Sequence, residues 1–314
     1  MLWRKRNLAV AVGGLALLFG AARAAFAEPP ATVKEGKPDK AARADSKKFL
    51  RLVRDSHGDP QAMETAIVHY VPAKEGDRLG LSVDLIGAVH VGEKSYYEQL
   101  NKAFEKYDAL LFELVADKSV VPHAGDKSRS PVSALQRGMK DFLELDFQLD
   151  DIDYTKKNFV HADMSPDEMS KSMSDRGESI WSIMIRMMAA GMAQQAGKAD
   201  SSDFELLMAL FDKNRAIQMK RFMADQMSSM DTVMLALEGP QGSTLITERN
   251  KAALKVLADE IKAGKKKIAI FYGAGHLSDM EKRLIADFGL KRADEKWLEA
   301  WNLRLPKDKA AVAK

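Results

Sequence analysis

Two tetrads of the same grammar, Gly87-Ala-Val-His90 and Gly273-Ala-Gly-His276, lie 186 positions apart in a chain of 314 residues that has only six histidines. Each closes an apolar run, LIGAVH in the first case and IFYGAGH in the second. A glycine three residues ahead of a histidine lets the backbone leave a strand end sharply, through φ values that other residues avoid, and aims the imidazole beyond the strand. Gly87, Gly273 and Gly275 are read as such turn glycines. One G-x-x-H is commonplace, but two in matched contexts point to His90 and His276 as functional residues.

A carboxylate belongs with them. Glu113 lies in Leu110-Leu-Phe-Glu-Leu114, a charge bracketed by apolar neighbours. Buried there alone it would cost several kcal/mol, so it must be paired, neutral or bound to a metal. Two neutral imidazoles and one carboxylate suit a divalent cation and leave a position for water. His90, His276 and Glu113 are therefore the expected metal ligands. Glu248-Arg249-Asn250 is expected to open a helix. Arg249 there suits a clamp on a substrate carboxylate or an oxyanion, while Glu248 is either a dipole-matching residue or a candidate base. His161, in Phe159-Val-His-Ala-Asp163, is a candidate extra ligand or substrate contact, against the plainer role of a core histidine. His57, His69 and His123 are expected to do no chemistry. The chain has no cysteine, which removes thiol nucleophiles, thiolate metal sites and disulfides together. No G-x-S-x-G elbow, Walker loop or G-x-G-x-x-G after a strand is present.

The elements that would position these groups alternate. Ala66–Ala73 and Leu79–Ile86 read as strands of a hairpin joined by Lys74-Glu-Gly-Asp77. Tyr96, Leu100, Phe104 and Tyr107 recur at helical spacing, and Ala109–Val115 reads as a short buried strand. Asn158–Ala162 reads as another strand, with Pro166 starting a helix. Ala253, Leu254, Leu257 and Ile261 mark a helix closed by Gly264, and Ile268–Tyr272 a buried strand. Ser278-Asp-Met-Glu281 reads as a capping box opening a helix that buries Met280, Leu284 and Phe288 and stops at Gly289. Alternation of Trp297, Glu299, Trp301 and Leu303 suggests a last strand. Both tetrads thus sit in strand, turn, histidine, helix, strand. The fold expected is α/β (α+β), a duplicated β-α-β core whose central sheet is flanked by helices, with ligands at the carboxyl ends of the strands. Ligands of one ion lie about 2 Å from it, so their donor atoms should fall within roughly 3–5 Å of one another.

Between Met164 and Met234 the chain carries 13 of its 17 methionines. This segment reads as a helical insertion, chiefly core, since methionine fills irregular gaps. An adaptable apolar surface for varied ligands is the alternative.

Residues 1–27 read as a secretory signal peptide: Arg4, Lys5 and Arg6, then apolar Leu8–Gly20, then Ala25-Phe-Ala27. Residues 28–46 read as a disordered spacer, 47–305 as one domain and 306–314 as a tail. Four bases and no acid fall in the leader, leaving 44 of the 48 bases against 45 acids. That balance gives no reason to expect nucleic acid as a partner. No stable membrane span is expected after leader cleavage, and the destination is the periplasm or the exterior.

With its two G-x-x-H motifs, Glu113 after the first helix and Glu248-Arg249-Asn250 ahead of the second motif, the chain resembles the TraB/GumN (Tiki-like) family over roughly Val68 to Leu303. The resemblance implies a duplicated α/β core related to erythromycin-esterase-like and haem-binding ChaN-like proteins. It also implies metal-dependent proteolysis that needs both histidines and the glutamate. Two functions are expected on these grounds. The first is an exported hydrolase of peptides that uses Mn²⁺, Co²⁺ or Zn²⁺. The second is a non-catalytic protein sequestering a peptide, haem or a hydrophobic ligand against the methionine-rich helices.

Overall fold

A computed structural model describes residues 49–123, 143–179, 181–183, 185, 211–238 and 242–306. The expected leader, the spacer and most of the tail lie outside them. The described chain is a mixed α/β structure around a seven-stranded sheet. Long strand β2 (Pro60–Pro72) is its antiparallel backbone. Strand β9 (Leu290–Asn302) pairs along almost its whole length, while β1 (Leu50–Arg54) and β3 (Ser82–Ala88) pair with successive halves of it. Beyond β3 the sheet turns parallel, in the order β3, β8 (Lys267–Gly273), β5 (Ala109–Phe112), β7 (Phe159–His161). A separate two-residue pairing joins β4 (Val91–Gly92) to β6 (Asp146–Phe147), which runs straight into the single turn of α2 (Gln148–Asp151).

The parallel strands read as continuous apolar runs because both of their faces are covered. Alternate residues feed two apolar layers. Ile86, Leu110, Phe112, Ala269 and Phe271 face α1 (Lys94–Phe104), which contributes Tyr96, Tyr97, Leu100 and Phe104. Leu85, Leu111, Ile268 and Ile270 face α5 (Arg249–Lys262) and α6 (Leu277–Ala286). Four methionines of the Met164–Met234 segment pack as filler. Met219, on α4 (Arg215–Glu238), is buried in the first layer, with Met223 and Met227 packed partly against it, and Met169 is also buried. Met184, Met187, Met188, Met192 and Met208 lie outside the described residues. Among the described residues no helix is long and apolar enough to cross a membrane.

Several expectations shift. The hairpin forms, but β2 begins at Pro60, well ahead of Ala66. The two G-x-x-H units return differently: α1 leads to β5, parallel to its sheet neighbours, whereas α6 leads to β9, which runs antiparallel along β2. The capping box expected at Ser278–Glu281 is not formed. Helix α6 starts at Leu277, directly from a 3-10 turn over Ala274–His276, without a side-chain cap. Glu281 is needed elsewhere, buried and accepting from Tyr70 Oη at 2.8 Å. A true capping box stands at Ser165–Glu168, ahead of α3 (Pro166–Asp175).

Trp301 ties the two sheets together, fully buried, with its indole Nε1 donating to Val91 O at 2.7 Å. Replacing Trp301 by Ala removes this bond and opens a large cavity, with an expected loss of about 3–5 kcal/mol. The midpoint of urea unfolding reads it; a shift worth less than about 1 kcal/mol would contradict the packing described.

Candidate active site

The four parallel strands end on the same side of the sheet, with Ala88 level with Gly273 and Phe112 level with both Phe271 and His161. Residues just beyond these ends are therefore gathered by the topology. Glu113 is one residue past β5, Asp163 two past β7, and His276 three past β8. Arg249 comes from the opposite direction, at the start of α5. That helix is entered earlier than expected, through a π-helical turn over Thr244–Glu248 whose Ser243 side chain accepts from Ile246 N.

Arg249 is the hub. It is buried, and one edge of its guanidinium is spent on Asp163, with Nε donating to Oδ1 at 3.0 Å and Nη2 to Oδ2 at 2.6 Å. The other edge faces Glu113 and His276. Nη2 donates to Glu113 Oε1 at 2.7 Å, and Nη1 lies 3.5 Å from His276 Nε2. The second oxygen of Glu113 accepts from Gly273 N at 2.7 Å. His276 Nε2 and Glu113 Oε1 are 3.7 Å apart.

Asn250 fixes the tautomer of His276. The Asn250 Nδ2 donates to His276 O at 3.0 Å and to Asp279 Oδ2 at 2.8 Å, so its Oδ1 is left as an acceptor. His276 Nδ1, 2.7 Å from that Oδ1, must therefore carry the proton. The neutral ring then turns an unprotonated Nε2 toward Glu113, where it accepts a long bond from Arg249 Nη1 at 3.5 Å. Burial pushes the His276 pKa down to about 4, against the pull of Glu113. Burial alone would raise the Glu113 pKa, but Arg249 first, then His276, His90 and the Gly273 N–H, hold it well below the usual carboxylate range. Burial also works against the charge on Arg249, and Glu113 and Asp163 outweigh it. Two carboxylates around one guanidinium leave a net negative charge beside an unprotonated imidazole. The cation that meets both groups is the Arg249 guanidinium, with His276 Nε2 and Glu113 Oε1 3.7 Å apart beside it.

Other expected residues take different places. His90 is exposed, and among the described residues no hydrogen bond or ion pair joins its ring to the cluster. When protonated, its ring is near enough to act electrostatically on Glu113 and His276. The two tetrads diverge just past the strand. After Gly273 the chain coils at once into the 3-10 turn and α6, whereas after Ala88 it stays extended into β4 and pairs with β6. Among the described residues no three His, Asp or Glu side chains are gathered closely enough to hold one ion. His276 and Glu113 form a pair, and His90 at the rim would have to turn inward to complete the expected set. Glu248 does not join the cluster; its carboxylate meets Arg176 Nη1 at 3.3 Å and Lys251 Nζ at 3.0 Å. The clamp expected of Arg249 narrows to Nη1, since Nε and Nη2 are occupied. His161 Nε2 donates to Leu114 O at 2.7 Å and supports the loop after β5, while its buried Nδ1 has no partner among the described residues. His69, expected to be idle, is bonded through Nδ1 to the buried Asp84 at 2.5 Å, on the side of the sheet where β3 begins.

The glycines also need a corrected reason. None of Gly87, Gly273 and Gly275 has a positive φ. At two of them the value is space: a Cβ on Gly273 would meet Glu113 Oε2 at 3.3 Å, and one on Gly87 would meet Phe49 O at 3.3 Å. Asp163 and Asn250 are site residues that the sequence reading does not single out. Their signals are an acid just past a strand end and, for Asn250, its place as the last residue of the Glu248-Arg249-Asn250 motif.

The depressed His276 pKa sets a pH dependence. Between about 4 and 6.5 the unfolded ring takes a proton that the folded ring refuses. The folded state therefore loses stability as pH falls through that window, by up to about 3 kcal/mol at one proton's slope. His276→Asn, whose amide can still donate to Asn250 Oδ1, should flatten the slope by about one proton. Urea unfolding from about pH 7 to 4 reads it, and equal slopes for both proteins would show that the ring titrates normally.

Comparison with known proteins returns no match to a family model, a curated protein or a solved structure. The family resemblance rests on the motif residues alone.

Proposed function

We propose that this chain is an exported, metal-dependent hydrolase, with peptides as its substrate class. The observation that carries the proposal is the tautomer-fixed His276, whose unprotonated Nε2 stands 3.7 Å from an ionised Glu113 in a buried cluster of net negative charge. His276 and Glu113 would hold Mn²⁺, Co²⁺ or Zn²⁺, with His90 as the third donor. Such an ion supplies a Lewis acid and a water acidified toward neutral pH.

The chain's own residues do the rest. Asn250 keeps the proton of His276 on Nδ1, which leaves Nε2 free to coordinate. The Gly273 N–H and Arg249 keep Glu113 ionised and oriented. Arg249 Nη1, beside His276 Nε2, can stabilise negative charge that develops on a carbonyl oxygen. Arg249 is rigid because Asp163 holds its far edge, so this donor needs little reorganisation. The preference for peptides over other acyl substrates rests on the family resemblance.

Purified chain without the leader, supplied with each of the three metals, should cleave members of a peptide library. Glu113→Gln and His276→Asn should each lower kcat/KM by about a hundredfold or more, and His90→Ala by a similar factor. Peptide cleavage that persists unchanged in Glu113→Gln and His276→Asn, with their folds verified by circular dichroism, would sink the proposal.

A further inference from the structure

The charged cluster is closed to solvent. The side chains of Arg249 and His276 are 7% exposed, that of Glu113 13% and that of Asp163 not at all, so a ligand reaches them only when a covering segment moves. One segment crosses from one side of the cluster to the other. It begins at Asp163, which holds the guanidinium through two bonds and accepts from Met164 N at 2.8 Å. Helix α3 follows, with Glu168 near enough to Lys118, in the loop that continues from Glu113, for their charges to interact. The segment ends at Glu178, whose buried carboxylate accepts from Thr244 N at 3.0 Å in the π-helical turn just ahead of Arg249.

Between these two buried anchors α3 is lightly held. Of its ten residues only Met169 is buried. Its far end meets the π-helical turn through polar contacts. Ser172 Oγ lies 2.9 Å from Thr244 Oγ1, and just past the helix Arg176 Nη2 donates to Gly242 O at 2.5 Å and Nη1 to Glu248 Oε1 at 3.3 Å. The Arg176 and Glu248 side chains are both partly exposed. Gly177, between this latch and Glu178, has a φ of +65°, and a Cβ there would meet nothing within 4 Å, so the chain can pivot at it. By contrast, α5 buries Ala253, Leu254 and Leu257, and α6 buries Leu277, Met280 and Leu284. Local opening runs through segments with few buried apolar contacts and accessible hydrogen bonds, and α3 is such a segment.

We propose that α3 is a hinged strap across the cluster. It swings outward between the anchors at Asp163 and Glu178 when Ser172 and Arg176 release the π-helical turn, and so admits a small molecule to His276 and Arg249. The role is independent of the reaction proposed above, because it concerns entry to the cluster and not the chemistry that follows.

A chain without cysteine permits a direct test. Ser172→Cys with Thr244→Cys places the only two thiols where the two hydroxyls meet, so oxidation staples the strap shut. Diethyl pyrocarbonate acylates an unprotonated imidazole, and peptide mass spectrometry near neutral pH reads His276 with the exposed His90 as internal reference. In the oxidised double variant His276 should react more slowly than in the same protein reduced and desalted, by roughly tenfold or more, with His90 unchanged. Arg176→Gln, which loosens the latch without a crosslink, should speed the reaction of His276 by about threefold or more over wild type. A wild-type circular dichroism spectrum and an unchanged His90 rate separate this from unfolding.

Equal His276 rates in the oxidised and reduced forms, or in Arg176→Gln and wild type, overturn the strap. So does a His276 that reacts in none of these proteins. Where one variant fails to fold or to crosslink, the other decides. Peptide cleavage enters none of these readings, so the strap and the hydrolase reading fail separately.

Discussion

A guanidinium sealed inside the protein sets the terms for everything around it. Burying a charge without partners costs many kcal/mol, so Arg249 is tolerable only with carboxylates on it. Here there are two, and they come from different strands. Asp163 comes after β7 and Glu113 after β5, so both strands must end at the same level for one arginine to reach both. The parallel half of the sheet provides this. His276 then enters through β8, which runs between β3 and β5.

The same interaction governs the chemistry. Paired with Arg249 and with a backbone N–H, Glu113 stays ionised although buried, while His276 stays neutral because burial disfavours its charged form. Both pKa values are driven down, so that one buried site holds a charged carboxylate beside a neutral imidazole. Asn250 adds direction, since it decides which ring nitrogen faces the carboxylate. Gly273 adds room, because its backbone lies against the oxygen that its N–H donates to.

Much of this is legible in the chain. Short apolar runs bounded by glycine and polar residues read as strands because buried parallel strands have no polar face to interrupt them. Glu113 stands out as a charge inside such a run, and Arg249 as a base at a helix start. The doubled tetrad draws attention to both histidines, yet the same four-residue grammar buries His276 in the cluster and leaves His90 exposed. What separates them is the next backbone pairing, Val91 with Phe147, and no local pattern announces a two-residue strand. Strand β1, Leu-Arg-Leu-Val-Arg, escapes the sequence for a similar reason: five residues at an edge carry too little periodicity. At Ser278–Glu281 the local motif matches, but a tertiary demand wins, because the buried Tyr70 hydroxyl needs Glu281 more than the helix end does. Asp163 is overshadowed by His161 beside it. A long-range partner 86 positions away cannot be read from its own neighbours.

If Glu113 and His276 present their donor atoms to one divalent ion, Co²⁺ reports on them directly, because its visible absorption depends on the number and kind of its ligands. Titration of the protein with Co²⁺ should give d–d bands that saturate at one equivalent and collapse in both Glu113→Gln and His276→Asn. Bands of equal intensity in all three proteins, or none in the wild type, would contradict the shared site.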